Sequence, residues 1–194
     1  VWIAHRGGRT KNGRDCTEQG LLKMLDMSGN GTFFENFSQL NLMPVAISYE
    51  YETCGALKAL ELYKKEQQGF YRKKTGEDVN SMLQGFAQCK GRIHVAFSRP
   101  LTAEELLRAD SAQRNEKFRI LASILDSRLS ESYKLWPVNY AAADILLGSK
   151  EYLEGGFYTL ADRERLIDRL RRESEGMPDE IYNRMLQLYA AHII

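Results

Sequence analysis

The chain has 194 residues, enough for one domain or one domain with an appendage, and 43% hydrophobic and 27% charged residues let it bury a core. A net charge of +1 excludes a global field that would gather nucleic acid, so any basic site must be local. Cys16, Cys54 and Cys89 form no metal-spaced pair and no even disulfide set, and no run approaches the roughly 18 apolar residues of a membrane span.

Residues 1–4, VWIA, are predicted to form a buried strand that ends in glycines. Val1 opens directly on this segment without a methionine, so the sequence reads as part of a longer chain. Thr17 is a candidate cap for a short helix carrying Leu21, Leu22, Met24 and Leu25, broken at residues 29–31. One or two helical turns are expected over 33–40. Val45, Ile47 and Tyr49 then alternate with Ala46, Ser48 and Glu50, a second strand with one well-buried face. Pro44 suits its start, where a missing N–H is tolerated. A helix is expected over 55–67, a basic exposed loop over 71–76 and another helix over 80–88.

Ile93, Val95 and Phe97 mark a third strand, stopped by Pro100. Thr102 and Glu105 form a capping-box pattern, with Leu101 and Leu106 placed as a hydrophobic staple. Everything beyond reads as helical. Phe118, Leu121, Leu125 and Leu129 form one stripe. Thr159 and Asp162 repeat the capping pattern ahead of Leu166, Ile167 and Leu170, and Ile181, Met185 and Leu188 line a last helix. The outline predicts an α/β fold with a mostly parallel sheet flanked by helices over 1–110, followed by a helical extension over 111–194.

The stretch HRGGRTKNG, residues 5–13, is where chemistry concentrates. Arg6, Arg9, Lys11 and Arg14 place four cations in nine residues, and Gly7, Gly8 and Gly13 permit tight turns and close approach of a ligand. Arginine suits bidentate contact with phosphate oxygens, and lysine adds a point charge. The composition fits either a phosphate site or a solvated basic turn. The spacing is that of neither a P-loop nor a dinucleotide-binding glycine motif. Residues 71–74 are a second basic run, read as a solvated face or as a contact for anionic lipid headgroups or an acidic carrier protein. His94 reads as a half-buried strand residue and His192 as surface. Residues 136–140, WPVNY, read as a packing turn or a membrane-facing patch, with packing favoured.

The order of GGRTKNG, MPVAISYE and GRIHVAFSRPL resembles the glycerolipid acyltransferase family, over about residues 1–105. The first stretch is similar to that family's third sequence block, a loop of E-G-T-R or G-G-R-S-R-T-G type that binds substrate phosphate. The strand after Pro44 is similar to its fourth block, and residues 91–95 to a later strand. The remainder resembles the helical extension of a bacterial subgroup acting on 1-acylglycerol 3-phosphate. The resemblance implies transfer of a fatty acyl group from acyl carrier protein or coenzyme A to a glycerophosphate-type hydroxyl, without metal or cofactor, peripherally at the cytoplasmic face of the cell membrane. It makes Arg9 the first choice for the phosphate, with Gly8 and Lys11 beside it, and Arg6, Gly7 and Thr10 as further contacts.

Two departures stand against the pattern. The family's general base lies in a His-x4-Asp block, but His5 is followed five positions later by Thr10. No catalytic residue is therefore assigned in these 194 residues, and the block is expected upstream. Residues 6–8 are Arg-Gly-Gly where the family usually carries a glutamate near the glycine. These departures leave two alternatives, a non-catalytic phospholipid- or anion-binding module and an acyltransferase with a non-glycerol acceptor.

Overall fold

The computed structural model of the chain describes residues 1–6, 10, 13 and 16–194. In chain order the elements are α1 (Gln19–Met27), α2 (Phe33–Leu40), β1 (Val45–Tyr49), α3 (Gly55–Gln68), α4 (Glu77–Ala87), β2 (Ile93–Phe97), α5 (Ala103–Asp110), α6 (Glu116–Ser132), α7 (Pro137–Leu147), α8 (Glu151–Glu154), α9 (Leu160–Glu173) and α10 (Asp179–Ala190).

The expected α/β fold with a mostly parallel sheet does not form. Among the described residues helix accounts for 58% and strand for 5%, and β1 and β2 make one two-stranded antiparallel sheet. The ladder shows why. The Ser98 N–H donates to the Pro44 carbonyl at 3.0 Å and the Glu50 N–H to the Arg92 carbonyl at 2.9 Å, so 44 meets 98 while 50 meets 92. A strand–helix–strand order feeds either sense of pairing when the connection is long, so the alternation of elements did not fix the direction. The apolar segment 1–4 joins no ladder, and Val1, Trp2 and Ile3 stand exposed. The expected strand face is also reversed. Ala46 and Ser48 are buried, whereas Ile47, Tyr49, Ile93, Val95 and Phe97 face outward.

Contacts divide the chain into two compact units, one of residues 1–9, 15–48 and 94–134, the other of residues 10–14, 49–93 and 135–194. The core of the first is Leu22, Phe33 and Phe37 against Leu106, Phe118 and Leu121. Phe33 packs against Phe37 at a tilt, ring centroids 4.7 Å apart, and meets Phe118 edge-on at 5.6 Å. α2 starts at a capping box between Thr32 and Glu35, and α5 at the expected one between Thr102 and Glu105. Thr17 does not cap α1, whose N-cap is Glu18. Instead its N–H and Oγ–H both donate to Asp126 Oδ1 on α6, at 2.8 and 2.6 Å, which ties the entrance of α1 to a distant helix.

The second unit is built on α7, which packs against α9 and α10, while α10 also packs against α3. Val138, Ala141, Ala142 and Ala143 are all buried, and short side chains in succession let helices approach from more than one side. Trp136 and Val138 are buried as the packing reading of 136–140 requires. The Trp136 N–H donates to Asn139 Oδ1 at 2.7 Å, and Asn139 Nδ2 donates to the Tyr189 carbonyl at 2.7 Å. Asp144, 1% exposed, holds the end of α7. It accepts from Tyr158 Oη at 2.9 Å, from the Leu153 N–H at 3.1 Å and from Ser149 Oγ. Burial pushes its carboxyl up, but the hydrogen bonds from Ser149, Tyr158 and the backbone outweigh this and leave it below the ordinary 3.8. The Tyr158 hydroxyl is pushed up to about 12 by burial and by that carboxylate.

Candidate functional site

Of the residues expected to bind phosphate, Gly7, Gly8, Arg9 and Lys11 lie outside the described residues. Arg6 and Thr10 are described and half-buried, Arg6 in the first unit and Thr10 in the second. The segment entering the stretch is pinned where the Glu18 N–H donates to the His5 carbonyl at 2.9 Å, just before α1. Gly13, expected to serve close approach of a ligand, makes its close approach to protein. Its φ is +77°, and a Cβ there would lie 2.6 Å from Ala191 Cβ and 2.8 Å from the Leu188 carbonyl oxygen of α10. Only glycine satisfies both the left-handed backbone and that gap.

Pro44 stands directly before β1 and gives its carbonyl to the sheet. His94 is half-buried on the β2 face shared with Ala96, and His192 is exposed. Arg92, in the third stretch of the resemblance, is engaged structurally. Its Nε and Nη2 donate to Glu50 at 3.0 and 2.9 Å, and its guanidinium lies 4.8 Å from the Trp136 ring centroid. The hydrogen bond from Arg92 holds the Glu50 carboxyl below its usual range.

A cluster that sequence reading missed lies in the first unit. A cavity of about 330 Å³ is lined by Arg99, Glu105, Arg108, Ser127, Arg128 and Glu131, among others. Arg128, 6% exposed, donates to the Arg99 and Pro100 carbonyls at 2.6 and 3.0 Å and grips both Glu105 oxygens. Burial raises the Glu105 carboxyl, but hydrogen bonds from Thr102 and Arg128 bring it below its usual range. One carboxylate therefore caps α5 and anchors α6 at once. The capping pattern at 102–105 was the visible half of this device; nothing local in sequence pointed to Arg128, 23 residues away. The cavity wall mixes both signs of charge, which suits an internal ion-pair network better than an anion site.

The second basic run is tied to α4. Tyr71 Oη donates to Glu77 at 2.7 Å, which pushes the phenol up to about 12, and Lys73 pairs with Asp78 at 2.6 Å. Arg72, Lys73 and Lys74 are exposed. Among the described residues no group of three His, Cys, Asp or Glu is placed to hold a metal, and no helix is long and apolar enough to cross a membrane. No protein-family model, curated protein or solved structure matches the chain.

Proposed function

We propose that this chain supplies the acceptor-phosphate side of a glycerolipid-type O-acyltransferase. The observation that carries the reading is the concentration of Arg6, Arg9, Lys11 and Arg14 among Gly7, Gly8 and Gly13, after an apolar segment and ahead of a helix. Support comes from the His5 carbonyl at the head of the stretch, which the Glu18 N–H anchors. Arg9 and Lys11 would neutralise the acceptor phosphate and fix the distance to its hydroxyl. In the reaction the acceptor hydroxyl oxygen attacks the thioester carbonyl of acyl carrier protein or coenzyme A. Its proton passes to a histidine base, an ester forms, and the thiol departs carrying that proton. The work takes place peripherally at the cytoplasmic face of the cell membrane. The 194 residues hold no His-x4-Asp block, so the chain alone transfers no acyl group. The same lack favours a second reading, a phospholipid- or anion-binding module.

Calorimetric titration with sn-glycerol 3-phosphate tests the phosphate site. Binding is expected to exceed that of glycerol, and Arg9→Ala to weaken it about tenfold, the loss of one charge-assisted bidentate contact. Glycerol binding equally well, or a variant equal to wild type, removes the reading. An in-frame His-x4-Asp block upstream of the Val1 codon decides for the enzyme over the module.

A further inference from the structure

α4 is folded inside out. Val79, Met82, Leu83 and Phe86 recur at i, i+3, i+4 and i+7, the spacing that places four large apolar side chains on one helical face. In an ordinary surface helix that face is buried. Here Val79 is 59%, Met82 61%, Leu83 60% and Phe86 80% exposed. The face that packs is made of small residues. Ser81 is the one buried residue of the helix, its carbonyl accepting from Cys54 Sγ at 3.4 Å, and the Cβ position of Gly85 lies 3.8 Å from the same sulfur. Close approach through Ser81 and Gly85 therefore fixes which way the helix faces, and it turns the large side chains outward.

The segment leading into α4 supplies the charge. Phe70 is 65% exposed, and after the half-buried Tyr71 come Arg72, Lys73 and Lys74, all exposed. Over residues 70–90 the cations are Arg72, Lys73, Lys74 and Lys90 against the carboxylates Glu77 and Asp78. Those carboxylates are drawn to Tyr71, Lys73 and the Lys74 amide, which leaves the excess positive. Large apolar side chains beside a basic cluster are the pattern of a helix that lies in the interface of an anionic bilayer, its apolar face sunk among acyl chains and its cations among headgroups.

From this geometry we infer that α4, with the 70–74 segment, is a docking surface for an anionic lipid bilayer. It stands on other residues than the phosphate reading and survives if that reading fails. The occupant follows from charge complementarity. Phe86 and Met82 are the deepest anchors and Arg72 and Lys74 the headgroup contacts.

Co-sedimentation of the 194-residue chain with vesicles tests it. Vesicles of phosphatidylcholine with roughly 30% phosphatidylserine should bind the wild type about tenfold or more tightly than pure phosphatidylcholine, with the difference shrinking at high salt. M82E/F86E should lower binding to both vesicles about tenfold. R72E/K74E should lower binding to the anionic vesicles alone. Since these side chains point outward, circular dichroism should match the wild type. As an independent readout, Phe86→Trp should add blue-shifted indole emission on anionic vesicles over the wild-type spectrum. Equal binding to both vesicles, binding unaffected by M82E/F86E, or a Phe86→Trp signal that stays aqueous overturns the inference. So does self-association at vesicle-free equilibrium that M82E/F86E abolishes, since a second copy would then be the occupant.

Discussion

Replacing Asp144 by asparagine asks how much one buried carboxylate stabilises the second unit. Asp144 is 1% exposed and accepts from Tyr158, the Leu153 amide and Ser149. Hydrogen bonds to a charged group contribute about 1.5–3 kcal/mol each. The asparagine keeps one acceptor oxygen but turns an NH₂ toward donors, so about half of that contribution is lost, on the order of 3 kcal/mol. For a chain of this size that lowers Tm by roughly 6–12 °C. Thermal melting followed at 222 nm reads the change. The effect has a pH signature. Because the folded carboxyl titrates below the ordinary 3.8, its contribution is present above that value and is lost as pH falls through the folded value. The gap between wild type and Asp144→Asn should therefore begin to narrow below about pH 4 and close as pH falls through the lower, folded value. A drop smaller than about 2 °C at neutral pH, or a gap that persists into acid, would refute the reasoning.

Arg128→Met should be among the most damaging changes in the first unit. It takes from Glu105 its hydrogen-bonded cation, leaving only Arg99 at 3.8 Å, and takes the Arg128 donors from two carbonyls, a loss of about 3–5 kcal/mol, measurable by urea denaturation. Thr102→Ala removes one half of the α5 capping box and should cost about 1 kcal/mol in the same assay, without a change in the denaturant slope.

Local rules written into short stretches were legible. The Thr102–Glu105 and Thr159–Asp162 boxes start α5 and α9 where the sequence placed them, and the two paired strands fall on the alternating segments. Pairing was not legible. The apolar character of residues 1–4 meets no ladder partner, and strand sense depends on which edges meet, which no local pattern encodes. Alternation identified two faces of β1 but not which one is covered; Ala46 and Ser48 pack closely enough to take the inner side. The same reversal occurs on α4, where Ser81 and Gly85 win the packed side. Of the candidate site, the basic and glycine composition was visible, whereas the role of Gly13 against α10 rests on a tertiary gap. The Arg128–Glu105 grip needed the third dimension for the same reason.

The two units interleave along the chain, and this shapes the order in which the protein is made. α3 finds its packing partner in α10, and the Glu52 amide finds the Tyr189 hydroxyl 137 residues later. The first core likewise waits for Phe118 and Leu121 to meet Leu22 and Phe33. A ribosome therefore exports long apolar stretches well before their partners exist. Nascent chains should rely on holding factors until α10 emerges, and refolding from denaturant should be slow for so helical a protein, because ring closures this large precede their reward.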